Sequence, residues 1–313
     1  DEQHRFGVEQ RDALGERGRD GASPHLLVMT ATPIPRTVAM TVFGDLAVST
    51  LRELPRGRSP IVSSVVPPLE MPAWLDRAWA RVREEVAGGR QVYVVCSRIG
   101  DESGGAKEVP DTVAVLELAP ALATGPLSGL RVEVLHGRLP GEEKDAVMQS
   151  FAAGEIDVLV ATTVIEVGVD VANATTMVVM DAERFGVSQL HQLRGRVGRG
   201  GHAGLCLLIT SAAKGSRARE RIDAVAATVD GFELAQLDLE QRREGDVLGV
   251  AQSGRRSSLR MLSLLRDGDV IAAARIQAQS IVERDPSLAL HPGLAQLVVS
   301  ALDGERVEYL AKA

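Results

Sequence analysis

Lysine is scarce in this chain. Only four lysines occur among 313 residues, at positions 107, 144, 214 and 312. A phosphate loop of the pattern G-x-x-x-x-G-K-[ST] requires a lysine followed by Ser or Thr, and none of the four has such a neighbour. The sequence therefore contains no phosphate loop of this type, and we expect the chain by itself not to hydrolyse ATP.

Cysteine and long apolar runs are also missing. Cys96 and Cys206 are the only two cysteines, and each lies in an apolar strand pattern, which predicts reduced core residues of a cytosolic protein rather than a disulfide framework. No apolar run reaches the ~18 residues of a membrane span, and no secretory signal pattern follows Asp1. We therefore predict a cytoplasmic protein that does not bind membranes.

Positive charge is unevenly distributed. The net charge of −7 argues against a protein that merely coats nucleic acid. Residues 189–260 nevertheless hold twelve Lys and Arg against eight Asp and Glu. A phosphate backbone would be contacted in this region.

An arginine-rich stretch, residues 189–201, is the centre of the sequence. If it is helical, the spacing of Arg196 and Arg199 puts both guanidiniums on one face, where they can reach one anion together. Gln192 lies four residues before Arg196 and could orient a water molecule. Interspersed glycines leave the backbone bare, which suits the close approach of a partner domain. The stretch is therefore interpreted as an arginine finger for phosphoryl transfer, with a solvated basic loop as the alternative.

Three other stretches carry candidate chemistry. The chain begins with adjacent acids, of which Asp1 can hold Mg²⁺ while Glu2 accepts a proton from an attacking water. Two apolar strand-like runs, at 26–29 and 157–161, end in paired hydroxyls, which suit backbone phosphates. Asp170, which follows the second run, suits a ribose hydroxyl.

These stretches resemble a known family. In order and spacing they are similar to motifs II, III, V and VI of superfamily 2 helicases, and more closely they resemble the RecG family of branch-migration and fork-reversal helicases. The resemblance rests on DEQHRFGV, TATPIPRT, VLHGRLP, VATTVIEVGVDV and QLHQLRGRVGRG, and it extends from Asp1 to about Gly254. It implies that the chain is the carboxy-terminal portion of such a helicase, lacking the wedge domain and most of the first motor domain.

The resemblance implies roles for individual residues. The implied catalytic residues are Glu2, Gln192, Arg196 and Arg199. ATP and Mg²⁺ are the implied cofactors, with Asp1 as the Mg²⁺ ligand and with Asp1, Gly168, Asp170, Arg196 and Arg199 at the nucleotide. The implied DNA-binding or coupling residues are Gln3, His4, Thr30, Thr32, His136, Arg138, Thr162, Thr163, Arg242 and Gln252. A histidine after a strand, such as His136, is also commonly a structural residue.

A further resemblance concerns residues 238–254, which are similar to the TRG (translocation) motif that the RecG family shares with the transcription-repair coupling factor Mfd. In that motif an arginine precedes Gly-Pro-Gly, whereas here Arg242 precedes Arg-Glu-Gly. The alternative is a helical stretch whose charges face water.

The predicted fold is α/β. A remnant of a first RecA-like domain (1–54) precedes a second RecA-like domain (55–213), and a helical hairpin, the TRG stretch and carboxy-terminal helices follow (214–313). Alternating apolar and amphipathic runs predict a parallel sheet covered on both faces, with sites at the carboxyl ends of its strands. The predicted strands are 61–66, 91–96, 131–135, 157–162, 176–180 and 204–210. The clearest predicted helices are 72–87 and 142–152. Further helices are predicted near 36–43 and at 216–229, 232–242, 259–265, 270–283 and 292–302.

Smaller expectations concern packing. Trp74, Trp79 and Phe151 occur at helical spacing and are predicted to lie in the core. Residues 100–110 and 119–129 are predicted to be loops. Arg194, on a different face from the other two arginines, is expected to pack or to touch DNA.

Three functions compete at this stage. The first is a monomeric, ATP-dependent double-stranded-DNA translocase of RecG type, which acts on branched or forked DNA in repair and recombination. Single-stranded-DNA-binding protein is a further candidate partner. The second is an Mfd-type translocase, although Mfd has Glu-Glu-Gln where this chain has Glu-Gln-His. The third is a non-catalytic DNA-binding module derived from a helicase.

Overall fold

A computed structural model describes residues 59–97, 111–166, 170–241 and 267–301, together with Leu27, Met29, Ser49 and Leu51. The chain divides into two compact units, residues 49–241 and residues 1–48 with 242–313. The strand predicted at 26–29 is described only at two single positions. The helices predicted near 36–43 and at 259–265 and the loop at 100–110 lie outside the described residues.

The larger unit is built on one six-stranded sheet whose strands all run parallel, in the order β1-β6-β5-β2-β4-β3. The strands are β1 (Ile61–Val66), β2 (Gln91–Val95), β3 (Val132–Leu135), β4 (Val158–Ala161), β5 (Ala174–Val179) and β6 (Gly204–Ile209). All six agree with the predicted strands to within two residues at their ends.

Helices connect the strands. They are α1 (Pro72–Ala87), α2 (Asp111–Thr124), α3 (Gly141–Ala152), α4 (Val187–Arg194), α5 (Arg217–Ala227) and α6 (Gly231–Gln241). Short 3-10 turns occur at Thr163–Glu166 and Ala182–Arg184. The smaller unit contributes α7 (Gly268–Arg284) and α8 (Pro292–Ala301).

Burial distinguishes central strands from edge strands. Every residue of β2, β4 and β5 is buried, whereas β1 and β3 alternate between partly buried and exposed positions. A parallel strand covered on both faces reads as a continuous apolar run, while an edge strand is partly open to solvent. The predicted α/β fold with helices on both faces of a parallel sheet is confirmed.

Each face of the sheet has its own apolar core. On one face α1 and α2 pack over the sheet around Trp79, Val82 and Leu122. On the other face α3, α4, α5 and α6 pack around Phe151, Leu190 and Ile222. The hairpin helices α5 and α6 thus share a core with the sheet. The domain boundaries predicted at 54/55 and 213/214 stay predictions.

Helix α1 shows how local sequence and burial agree. Pro72 occupies the first turn, where its missing N–H costs nothing. The buried residues Ala78, Trp79 and Val82 recur at helical spacing on one side. The helix ends at a pair of glycines, of which Gly89 has φ +78°.

Two packing predictions were wrong. Helix α2 extends through Thr124 despite Pro120 in its interior, although 119–129 was predicted to be a loop. Ala119 and Leu122 are buried in the core, and this burial outweighs the proline's effect on the helix. Trp74 is 49% exposed, whereas Trp79 is 6% exposed, because the two positions lie on different sides of α1.

In the smaller unit, Asp285 organises the turn between α7 and α8. Its carboxylate accepts hydrogen bonds from the backbone N–H groups of Ala289 (2.9 Å) and Leu290 (2.8 Å), and it contacts the ring of His291 (3.1 Å). These bonds lower the pKa of Asp285, against a desolvation effect that raises it and is the largest single contribution. Among the described helices, none has the length and apolar composition of a membrane span.

The contrast between the two tryptophans gives a matched test of the α1 interface. We expect Trp79→Ala to lower the free energy of unfolding by about 3–5 kcal/mol, because it leaves a cavity in a packed core. Trp74→Ala should change it by less than about 0.5 kcal/mol, as is usual for surface positions. Chemical denaturation followed by circular dichroism measures both. Equal losses would contradict this packing of α1.

Candidate functional site

The candidate residues divide between two edges of the sheet: the carboxyl edge, where the parallel strands end, and the amino edge, where they begin. His136 directly follows β3, and Thr162 and Thr163 directly follow β4. The carboxyl ends of parallel strands lie at one edge, so these residues are neighbours there; the N–H of Thr162 donates to the carbonyl of Leu135 (3.1 Å). We call His136, Arg138, Thr162 and Thr163 the carboxyl-edge group.

The arginines lie at the opposite edge. Helix α4 begins after the carboxyl end of β5, returns the chain across one face of the sheet, and ends at Arg194. Arg196 and Arg199 follow the helix and precede the amino end of β6. The prediction that all site residues gather at strand carboxyl ends was therefore wrong for these arginines. Each connection between parallel strands runs from the carboxyl edge to the amino edge, so residues late in a connection lie at the amino edge.

The expected helical face was also wrong. The helix stops at Gly195, and Gly198 has φ +69°, a conformation that side chains with a Cβ rarely adopt. Arg196 and Arg199 are therefore not one helical turn apart, and Arg196 lies in the turn that directly follows the helix bearing Gln192. The spacing was interpreted with helical geometry where the chain forms a turn instead.

Three glycines of this region pack closely against neighbouring segments of the unit. A Cβ on Gly198 would lie 3.1 Å from Cγ1 of Ile61, and a Cβ on Gly204 would lie 2.9 Å from the same atom. A Cβ on Gly200 would lie 2.6 Å from the carbonyl oxygen of Ala172. These glycines permit close packing within the unit itself. The segment between α4 and β6, which carries Arg196 and Arg199 and which we call the arginine loop, therefore lies against the loop before β5.

That packing brings Asp170 to Arg199. Nη1 of Arg199 lies 3.4 Å from Oδ1 of Asp170, and Nε of Arg199 donates to the carbonyl of Gly195 (2.9 Å). The Asp170 side chain is 59% exposed and that of Arg199 is 30% exposed. Together with Arg196 they form what we call the amino-edge cluster.

Tyr93 of β2 lies within electrostatic reach of this cluster, although its sequence context gave no such indication. Its ring packs against Phe151, with the centroids 4.8 Å apart. Burial raises the pKa of the Tyr93 phenol to about 12; the guanidiniums of Arg196 and Arg199 oppose this rise, and Asp170 adds to it. All three charges of the cluster thus act on one phenol.

The amino-edge cluster suits an anionic nucleotide. Two guanidiniums provide donors for phosphate oxygens, and an exposed carboxylate provides an acceptor for a ribose hydroxyl. Gln192 lies partly buried near the end of α4. Within the described ranges no group of three acidic, His or Cys side chains could hold a metal ion.

The carboxyl-edge group differs in exposure. Thr162 and His136 are buried, Thr163 is partly buried, and Arg138 is exposed. Nδ1 of His136 has no hydrogen-bond partner, and neither has Oγ of the buried Ser97, which follows β2. A serine after a strand carries no distinctive sequence signal, so Ser97 is not among the predicted site residues.

Arg194 is a buried packing residue. Packing was one of the two roles expected for it, and contact with DNA was the other. It is 2% exposed, and Nη1 donates to the carbonyls of Val225 (2.6 Å) and Thr228 (2.7 Å) at the end of α5. Nη2 contacts Nδ1 of His191 (2.7 Å). A cation at a helix carboxyl end satisfies carbonyls that the helix leaves free. Arg194 thereby joins α4 to the hairpin.

Glu183 fixes the start of the same crossover. Its carboxylate accepts a hydrogen bond from Oγ1 of Thr210 (2.6 Å), and its backbone carbonyl accepts one from Arg221 (2.7 Å). No local sequence signal pointed to this residue, since its partners lie 27 and 38 positions away.

Nine candidate residues lie outside the described part of the chain. They are Asp1, Glu2, Gln3, His4, Thr30, Thr32, Gly168, Arg242 and Gln252. The roles predicted for them stay predictions, as do those of the described candidates.

Comparison with known proteins agrees with the resemblance. Residues 80–201 match the family model of the helicase conserved C-terminal domain, and residues 228–299 match that of the ATP-dependent DNA helicase RecG, domain 3, C-terminal. A Mycobacterium leprae protein named ATP-dependent DNA helicase RecG is 59% identical over 100% of this chain, which covers 42% of that protein. The chain belongs to the RecG family.

Other relatives extend the match. A Mycobacterium tuberculosis RecG is 54% identical over 100% of this chain and 42% of its own length. A solved structure of RecG bound to a three-way DNA junction is 38% identical, has a TM-score of 0.63, and covers 86% of this chain and 32% of that one. The chain thus spans less than half the length of the curated RecG relatives it matches, and it shares their RecA-like α/β fold.

Arg194 provides a test of the bond between α4 and the hairpin. We expect Arg194→Ala to lower the free energy of unfolding by roughly 2–4 kcal/mol, because it removes two charged donors and leaves buried carbonyls unsatisfied. Arg217→Ala, at an exposed position on α5, is the control and should change it by less than about 0.5 kcal/mol. Denaturant titration of both variants measures the difference. An Arg194→Ala protein as stable as the control would contradict the role of this residue.

Proposed function

We propose that this chain is the motor portion of an ATP-dependent double-stranded-DNA translocase of RecG type, which remodels branched DNA by fork reversal and junction branch migration. The observation that carries the proposal is the likeness to the RecG structure bound to a three-way junction, over 86% of this chain. The match of residues 228–299 to the RecG-specific model favours this function over an Mfd-type translocase.

The amino-edge cluster supplies the phosphate and ribose contacts of the proposed ATP site. ATP supplies the phosphoryl group that is transferred to water. Arg196 and Arg199 neutralise negative charge on its phosphates, and the exposed carboxylate of Asp170 accepts a hydrogen bond from the ribose. Gly168, two positions before Asp170 in the sequence, is proposed to contact the nucleotide as well. Gln192, on the last turn of α4, would orient the attacking water. The resemblance assigns to Glu2 the role of general base for that water, and to Asp1 the role of the residue that would hold Mg²⁺, which would supply charge neutralisation at the phosphates.

The carboxyl-edge group is the part that faces DNA. Arg138 is exposed and contributes a charge to a phosphate, while Thr162, Thr163 and His136 shape the edge beside it. Gln3, His4, Thr30 and Thr32 couple this contact to the nucleotide. Helix α4 connects the two edges. A displacement of Arg196 on nucleotide binding is therefore transmitted to the carboxyl edge through a single helix.

The hairpin transmits that change further. Helices α5 and α6 both pack against α4, and Arg194 bonds to the end of α5. The TRG stretch begins within the last turn of α6, and Arg242 and Gln252 follow that helix in the sequence. A stiff hairpin whose base moves with the motor domain can convert domain motion into a push on duplex DNA.

The remaining parts of the proposal concern context. We infer a cytoplasmic monomer that acts in DNA repair and recombination, with forked DNA as its substrate and single-stranded-DNA-binding protein as a further candidate partner. In the tests that follow, the full-length protein means this chain together with any sequence that its gene places before it.

The first test addresses the arginines. In the full-length protein, Arg196→Ala should retain nucleotide binding but lose DNA-stimulated ATP turnover by about 10³-fold, the magnitude typical of a lost arginine finger. Arg199→Ala should behave similarly. Steady-state ATPase assays and nucleotide-binding titrations on the same preparation measure the two effects. Wild-type turnover in Arg196→Ala would reject the assignment.

The second test separates chemistry from coupling. Arg242→Ala and Gln252→Ala should leave most DNA-stimulated ATPase intact while sharply reducing junction unwinding, since the TRG stretch lies beyond the last strand of the sheet. Duplex binding should weaken modestly, with the salt slope reduced by about one unit for a lost phosphate contact. ATPase and strand separation are measured on one forked substrate. A proportional fall in both activities would assign the stretch to catalysis instead.

A further inference from the structure

The amino-edge cluster contains a competition between its own members. Asp170 and Arg199 are each proposed to contact a different part of a nucleotide, the ribose and the phosphates. Their side chains instead contact each other, with Nη1 of Arg199 3.4 Å from Oδ1 of Asp170. While these two atoms are paired, the carboxylate has fewer free lone pairs and the guanidinium fewer free N–H groups for a ligand.

The backbone holds the two residues at this distance. Gly200 packs so closely on Ala172 that an added Cβ would lie 2.6 Å from its carbonyl oxygen, and Oγ of Ser59 reaches the Gly200 carbonyl (3.4 Å). Nε of Arg199 is held by the Gly195 carbonyl (2.9 Å). A single terminal nitrogen makes the contact with Asp170, so Arg199 can exchange this partner by a side-chain rotation that leaves the backbone of both loops in place.

The pair is also accessible. Asp170 is 59% exposed and Arg199 is 30% exposed, so an anion from solvent can reach the guanidinium and solvent screening keeps the pair weak. The charges of both residues act on the buried phenol of Tyr93 in opposite directions, which is consistent with one compact cluster.

We propose that the Asp170–Arg199 pair is a specificity device that makes the site select a nucleoside triphosphate over a bare polyphosphate. This proposal rests on the nucleotide site proposed above. A bare polyphosphate must displace Asp170 from Arg199 and offers the freed carboxylate no donor. A nucleotide displaces it too, but its ribose hydroxyl donates to the same carboxylate. The Asp170–Arg199 pair therefore weakens the binding of phosphate chains that carry no sugar more than the binding of a nucleotide.

The test compares tripolyphosphate with ATP on the full-length protein, by isothermal titration calorimetry without DNA. Asp170→Asn should strengthen tripolyphosphate binding by about two- to five-fold, the range expected for loss of an exposed pair. ATP binding should not strengthen, because the ribose loses its carboxylate partner. The preference for ATP over tripolyphosphate should therefore fall.

Two controls isolate the pair from general charge removal. Asp223→Asn removes a carboxylate of similar exposure that pairs with Arg219 on α5, and it should leave the preference unchanged. In an Arg199→Ala background, Asp170→Asn should no longer strengthen tripolyphosphate binding. Equal strengthening with and without Arg199 would show a long-range charge effect and overturn the proposal.

The outcomes also distinguish this proposal from the one on which it rests. If the wild-type protein binds ATP and Arg196→Ala loses turnover, yet Asp170→Asn leaves tripolyphosphate affinity unchanged or weaker, the specificity device alone is wrong. If neither ATP nor tripolyphosphate binds to the wild-type protein, the nucleotide site itself is wrong and the specificity device with it.

Discussion

Parallel pairing of all six strands is the constraint on which the rest of the structure depends. Parallel neighbours cannot be joined by a tight turn, so every connection must carry the chain from the carboxyl edge back to the amino edge. The helices that make these crossings cover both faces and bury the central strands β2, β4 and β5. Consecutive sequence motifs therefore alternate between edges, and this alternation places Thr162 at one edge and Arg199 at the other.

Helix α4 connects those two edges and is held at both ends by polar bonds. Near its start, Glu183 accepts from Thr210, and at its end Arg194 donates to two carbonyls of the hairpin region. Apolar residues such as Leu190 and Leu193 bury its inner side. These bonds join the helix to the sheet and to the hairpin, which suits an element between the proposed nucleotide cluster and the proposed DNA-facing edge.

Close backbone packing sets the geometry of the amino-edge cluster. Gly198, Gly200 and Gly204 allow the arginine loop to lie directly on Ile61 and Ala172. The close packing fixes where the Arg199 side chain starts, so few partners lie within its reach. Asp170 is the partner that the structure shows, and a phosphate is the partner that we propose. Closely packed backbone with an exposed ion pair suits the proposed discrimination between anions.

The sequence by itself determined the class of fold, the six strands, the pair of hairpin helices and the family, because apolar periodicity and motif spacing are local properties of the chain. Tertiary structure decided the rest. Only packing could extend α2 through Pro120, expose Trp74 and bury Arg194, since burial depends on partners distant in sequence. Only the three-dimensional course of the chain could place Asp170 against Arg199. Their 29-residue separation is bridged by a strand and a helix that run in opposite directions, and no spacing rule encodes where two such elements end relative to each other.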